Sequence, residues 1–273
     1  MEILCIGNEL LIGKTLNTNA HWLAKRATSL GINVKRITIV GDYVEEIVAA
    51  VKEALQRRPQ FIITTGGLGP TFDDKTLEGL AKALDQKLAV NKKALEMIIK
   101  KYEAYFGRKM RKRELTPARA KMATLPKGAK PLFNPAGTAP GVLINVKGTR
   151  LAALPGVPPE MEAIFEEYLA PMLKKAAGKT AFFERSIHVN GIVESVLAPL
   201  IDKAMRDNPH VYVKSHVYTK AKPESEGKRP GIELHLSTTA TNAEIAEKQL
   251  EKTEHRLISL VRESGGKTDA EKL

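Results

Sequence analysis

The chain has 273 residues and a mass of 30.0 kDa, and its 43% hydrophobic and 27% charged residues belong to a folded globular protein, excluding collagen, coiled coil or a disordered chain. Forty-three Lys and Arg against 31 Asp and Glu give a net charge of +12, which favours an anionic partner such as a nucleotide, a phosphate ester or nucleic acid without choosing among them. The single Cys5 excludes an internal disulfide, and no apolar run approaches the roughly 18 residues of a membrane span, so a cytoplasmic protein with no membrane partner is expected.

Residues 2–7 form an apolar run closed by glycine, the pattern of a buried parallel strand. The helix that follows takes Asn17 or Asn19 as its cap, carries Leu23, Ala27 and Leu30 on one face and stops at Gly31. Residues 32–40 read as a β-branched strand. Asp42, with Glu45 three residues on, has the form of a capping box for a helix carrying Val44, Ile47, Val48, Val51 and Leu55. Residues 61–64 are the next strand, and a glycine-rich loop leads into a helix with Leu77, Leu80, Ala81 and Leu84 on one side. Such alternation with short connections predicts right-handed βαβ crossovers and a mainly parallel sheet covered on both faces.

Residues 92–122 are helical in pattern, interrupted by Gly107 and the basic stretch 108–113. Strands follow at 132–133, 142–146 and 151–154, the last two a hairpin about Lys147-Gly148, and a helix starts at Pro158-Pro159. The linker-like residues 174–179 close a first domain, 1–175. A strand (186–190), a helix (194–205), two strands (211–218 and 231–238) and a long helix (243–261) then make a βαββα unit, a small α+β domain at 180–264, with 265–273 as a frayed tail.

The densest chemical signal is the loop from Thr64 to Thr76, between a strand and a helix. Open α/β sheets bind ligands at the carboxyl ends of their strands, where glycines let backbone N–H groups approach a phosphate. Thr65, Gly66, Gly67, Leu68, Gly69, Thr71 and Thr76 are therefore candidate substrate contacts, although the loop is neither a Walker A sequence nor the dinucleotide fingerprint. Asp73 and Asp74 either complement the dipole of the next helix or hold a divalent cation such as Mg²⁺ against the phosphate. Gly7, Asn8, Glu9 and Lys14 follow the first strand, Asp42 the second, and Pro155, Gly156, Pro158 and Glu160 the last, so all converge at one end of the sheet. Glu9 and Asp42 also suit local capping. The basic stretch reads as a solvated helix end rather than a nucleic-acid surface, because no aromatic residues are interleaved with it. Lys121 is the better phosphate contact. The histidines do not form a ligand-spaced set, and Trp22 reads as core or interface.

The segments GNELLIGKTLNTNA, VGDYVEEI, TTGGLGPTFDDKT, NPAGTAPG and LPGVPPEM, in this order and spacing, resemble the CinA-like (competence/damage-inducible protein A) family. Residues 1 to 175 resemble its molybdopterin-binding-like domain, and VNGIVESVLAPL with the pattern after it resembles its second domain. The resemblance implies a three-layer α/β/α fold and hydrolysis of the diphosphate of ADP-ribose to AMP and ribose 5-phosphate, aided by Mg²⁺ or another divalent cation and by K⁺. It implies metal or catalytic roles for Asp74 and Asp42, with Asp73 and Lys121 beside them, ligand contacts from Asn19, Asn134, Gly137 and Thr138, and a homodimer. The glycine-rich motif alone also fits molybdenum-cofactor proteins that adenylylate or insert metal into molybdopterin, so pterin binding or nucleotidyl transfer to a pterin is the alternative. Two departures stand out: Asn8 replaces an acidic residue common in the family, and Lys121-Met122-Ala123 replaces Lys-Gln-Ala. Bacterial members often carry a further C-terminal amidohydrolase domain without counterpart here, so deamidation of nicotinamide mononucleotide is not expected.

Overall fold

A computed structural model describes residues 1–111, 114–218 and 231–269. It divides into two compact units, Met1–Thr28 with Ile32–Ala176, and Ser29–Gly31 with the chain from Ala177 onward. Among the described residues, no helix is long and apolar enough to cross a membrane.

The first unit is built on a six-stranded sheet of β1 (Glu2–Ile6), β2 (Arg36–Val40), β3 (Phe61–Thr65), β6 (Lys130–Leu132), β7 (Gly141–Val146) and β8 (Thr149–Leu154). Their order is β2-β1-β3-β8-β7-β6; β2, β1, β3 and β8 are parallel, and β7 runs antiparallel to both neighbours. Every residue of β1 and β3 is buried, which explains why these strands read as unbroken apolar runs. Leu4 and Ile6 point into a core with Ile47 and Val51 of α3 (Val44–Gln56), Leu80 of α4 (Thr76–Ala83) and Ile98 of α5 (Lys92–Phe106). Ile3 and Cys5 alternate to the other face and are equally buried. On that side α2 (Thr18–Ser29) meets the π-helical turn Phe165–Leu169 that follows α7 (Pro158–Ile164), with Trp22 edge-on to Phe165 at 5.2 Å and Arg26 forked onto Glu166. Helices thus cover both faces of a mostly parallel sheet, as expected, and Trp22 is packed against a core ring.

Several local expectations need correction. The second strand starts at Arg36 rather than Ile32, because its partner β1 begins at Glu2 and the ladder runs from Glu2↔Arg36. The capping box at Asp42 does not form: α3 is entered at Tyr43 without a side-chain cap, Glu46 accepts the Gly41 N–H at 3.0 Å, and the Asp42 carboxylate is turned to Asn8. Asp73 and Asp74 lie before α4, which starts at Thr76, so they are turn residues and not part of the helix. A four-residue α1 (Asn8–Leu11) and the two-stranded pair β4 (Leu88–Val90) and β5 (Thr124–Pro126) are additional, with α6 (Pro117–Met122) leading into β5.

In the second unit, β9 (Ala181–Asn190), α8 (Glu194–Asp207), β10 (Tyr212–Tyr218), β11 (Gly231–Ala240) and α9 (Ala243–Glu263) form an antiparallel sheet with two helices. Ile187, Val189, Leu234 and Leu236 make its core with Leu197, Ile201, Leu250 and Leu257 from the helices. β9 starts five residues before the expected strand. The tail is not wholly frayed, since Lys267–Thr268 form β12 and pair with Asn190 and Val189; residues 270–273 lie outside the described ones.

Candidate functional site

The four parallel strands end at one side of the sheet, and the loops leaving them build a cleft of about 470 Å³. Gly7, Glu9, Asp42, the turn Gly66–Gly69, Asp73, Asp74, Gly137, Thr138, Pro155, Gly156 and Glu160 all line it. The turn is held from below. Gly66 donates to Leu154 O at 3.0 Å, its own carbonyl accepts from Thr76 Oγ1 at 2.7 Å, and Thr65 Oγ1 donates to Pro155 O at 2.8 Å. Gly66 has φ 105°, and a Cβ there would overlap Ile6 O, so only glycine fits where β1 and β3 let the turn cross them.

Asn19 ties the far wall together, with Nδ2 reaching Thr65 Oγ1 at 3.0 Å and Gly156 O at 2.7 Å, while its buried Oδ1 has no partner. Asn19, Thr65 and Pro158 line a side pocket of about 100 Å³ that shares Glu9, Gly66 and Gly156 with the main cleft. Asn134 organises the NPAGTAPG loop: its Oδ1 accepts from Ala136 and Gly137 N–H at 3.1 and 2.8 Å, and its Nδ2 donates to Glu160 Oε2 at 2.6 Å. Thr71 and Thr76 act from behind the turn, and the exposed Lys14 lines none of these cavities.

The carboxylates have distinct surroundings. Asp74 Oδ2 accepts from Thr71 N–H at 2.8 Å and from Thr71 Oγ1 at 2.6 Å, and the same hydroxyl contacts Asp73 Oδ1. A hydroxyl has one proton, so it serves one carboxylate at a time. That hydrogen bond holds Asp73 below the usual carboxylate range. Burial pushes Asp42 up, the Asn8 N–H opposes the shift, and the charges of Glu9, Asp73 and Asp74 add to it. Lys121 Nζ donates to the Thr71 carbonyl, and burial lowers its pKa against the pull of Asp74. Lys121 lines a second cavity, of about 420 Å³, that shares Gly67, Leu68, Gly69 and Asp74 with the main cleft. Among the described residues, no three His, Cys, Asp or Glu side chains are grouped so as to hold a metal ion by themselves.

Met122, where the sequence departs from Lys-Gln-Ala, lines the main cleft, as does Tyr102, which was not singled out from the sequence. Tyr102 comes from α5, with the Arg119 guanidinium 3.9 Å over its ring. Only the packing of two helices distant from the motifs brings it here. The basic stretch is partly neutralised: Arg108 forks onto Glu114 at 3.0 and 2.6 Å, which together with the Arg111 N–H pulls that carboxyl down to about 2. Lys112 and Arg113 lie outside the described residues.

The family described as "Probable molybdopterin binding domain" matches residues 2–175. A protein of Metallosphaera sedula is 43% identical over 268 residues, 98% of this chain and 96% of the relative. One from Aeropyrum pernix is 45% identical over 270 residues, again 98% and 96%. The crystal structure of the protein CinA, of unknown function, from Thermoplasma acidophilum is similar at 42% identity and a TM-score of 0.57, over 63% of this chain and 97% of that one.

Proposed function

This chain belongs to the probable molybdopterin binding domain family, in its CinA-like branch, and from that premise we propose that its first unit binds a phosphorylated small molecule of the pterin class in the glycine-lined cleft and catalyses a reaction at its phosphate. The observation that carries this reading is the meeting of the Gly66–Gly69 turn with Asp42, Asp73 and Asp74 around one cleft. Three carboxylates repel a bare phosphate and attract one that arrives with a divalent cation. The donor set suits Mg²⁺, which is held by one or two carboxylates together with ligand oxygens rather than by a complete protein cage. Such a cation, when bound, neutralises phosphate charge and polarises the P–O bond.

The chain's own groups supply the rest. The amides of Gly67, Leu68 and Gly69 receive the non-bridging oxygens, and Lys121, at the adjoining cavity, adds positive charge. Asp74, fixed by the Thr71 N–H and sharing the Thr71 hydroxyl with Asp73, is the carboxylate to hold the cation. Asp42, with its raised pKa, lines the same cleft and is suited to exchange a proton with the bound ligand.

A second reading is hydrolysis of a nucleotide-sugar diphosphate, ADP-ribose first, to AMP and ribose 5-phosphate. It is supported by the two cavities that share the turn, of about 470 and 420 Å³, which offer room for groups on both ends of a diphosphate. The test is a panel of ADP-ribose, NADH, FAD, CoA and molybdopterin with Mg²⁺, Mn²⁺ and K⁺, read by ligand binding and AMP release. Tight pterin binding without AMP release supports the first reading, and release from ADP-ribose supports the second. Neither binding nor release would remove both.

A further inference from the structure

We propose that the second cavity, which shares Gly67–Gly69 with the main cleft, is a ring-binding subsite: the flat heteroaromatic part of the ligand lies there and its phosphate sits at the turn. The inference rests on the reading of the turn as a phosphate site. The two cavities share Gly67, Leu68, Gly69 and Asp74, so they adjoin at the turn. Their walls differ in kind. The main cleft presents Glu9, Asp42, Asp73 and Glu160, acceptors for sugar-type hydroxyls. The second sets Leu77, Leu88, Pro117 and Ala120 beside Asp74, Glu78, Lys121 and Thr124, an apolar wall that suits a stacked ring with polar groups at its edge.

Two further observations fit. Leu88 is 39% exposed although it lines this cavity, leaving apolar surface for a ligand to cover. Glu78, held by Lys75 at 3.7 Å and Lys82 at 3.3 Å, stands at the same wall as an acceptor for an exocyclic amine, a group that adenine, guanine and pterin rings share. Lys121 lines the cavity and reaches the carbonyl of Thr71, so its charge lies at the junction where the phosphate would sit.

The experiment compares AMP, which has a ring, with ribose 5-phosphate, which has none, by calorimetric titration in Mg²⁺ on the full chain. The variants are Ala120→Trp, which fills the second cavity, and Leu88→Glu, which places a charge in it from an exposed strand. Both should weaken AMP about tenfold or more, with ribose 5-phosphate changed less than about twofold and the melting temperature retained. AMP binding that both variants leave unchanged, or an equal loss for the two ligands, overturns the subsite while the phosphate reading stands. If the unaltered protein binds neither ligand, the phosphate reading fails and the subsite with it.

Discussion

Asn8 and Asp42 clasp each other between the loops that leave β1 and β2: the Asn8 N–H donates to Asp42 Oδ2 at 2.7 Å, and the Asp42 N–H donates to Asn8 Oδ1 at 3.3 Å. An amide at position 8 gives Asp42 a neutral partner. An acid there would add a further negative charge beside Glu9, Asp73 and Asp74, which already push Asp42 up.

The raised pKa of Asp42 has a definite sign in stability. The folded protein holds this proton more tightly than the unfolded chain does, so ionising Asp42 costs stability above its folded pKa, and the cost vanishes below the ordinary value of 3.8. Asp42→Asn keeps an acceptor for the Asn8 N–H. It should be modestly more stable than the parent at about pH 7, equal to it below that ordinary value, and impaired in cation-dependent ligand binding. Urea midpoints across this range decide. A variant less stable than the parent at neutral pH would show that the carboxylate serves the fold.

Asp74→Asn should lower cation-dependent turnover or affinity on the order of a hundredfold while costing only about 1 kcal/mol of stability, because the amide oxygen still accepts from Thr71 N–H. Asp73→Asn should cost less than about tenfold, since this carboxylate is exposed and the Thr71 hydroxyl it contacts is shared with Asp74. Extra Mg²⁺ should restore part of the Asp74 loss. Small and equal effects from the two substitutions would mean that the acidic pair only shapes the turn.

Much of this architecture is legible in the residues because burial writes simple patterns. β1 and β3 are buried on both faces and read as apolar runs; α5 ends at Gly107, in the left-handed conformation at φ 66°, as its sequence position suggests. The loops of the cleft follow from the rule that ligands meet the carboxyl ends of parallel strands. What escapes is set by contacts distant in sequence. Asp42 looks like a helix cap until β1 brings Asn8 to it, and Tyr102 looks like an ordinary helical aromatic until α5 and α6 meet. β4 and β5 escape because three residues each, exposed in β4, give no periodicity to read. The second cavity depends on those same elements.

Gly66 and Gly107 both have positive φ, at 105° and 66°, but their surroundings differ. A Cβ on Gly107 meets nothing within 4 Å, so Gly107→Ala should cost only the left-handed backbone penalty, about 1 kcal/mol. At Gly66 the added carbon overlaps the Ile6 carbonyl, which cannot retreat without disturbing the end of β1. Gly66→Ala should therefore cost about 3 kcal/mol or more and weaken ligand binding. Chemical denaturation of the two variants side by side tests this, and equal costs would refute the close crossing.

The last prediction concerns the opposite end of the sheet, where Glu2 is only 3% exposed. Arg57, just after α3, forks onto it through Nε and Nη2 at 2.8 and 2.7 Å, and its Nη1 reaches the exposed Glu53 at 2.6 Å. The two ion pairs share one guanidinium but not one environment. Glu53→Ala should cost no more than about 0.5 kcal/mol, as solvent-facing helical pairs do. Arg57→Ala strands the Glu2 carboxylate without its counter-charge and should cost about 3–5 kcal/mol. The double substitution Glu2→Leu with Arg57→Met removes both charges and should lie much closer to the parent, because desolvating the pair offsets most of its attraction. A thermodynamic cycle on these variants reads the coupling directly. If Arg57→Ala and Glu53→Ala cost the same small amount, water reaches Glu2 in solution and the pair adds nothing beyond a surface contact.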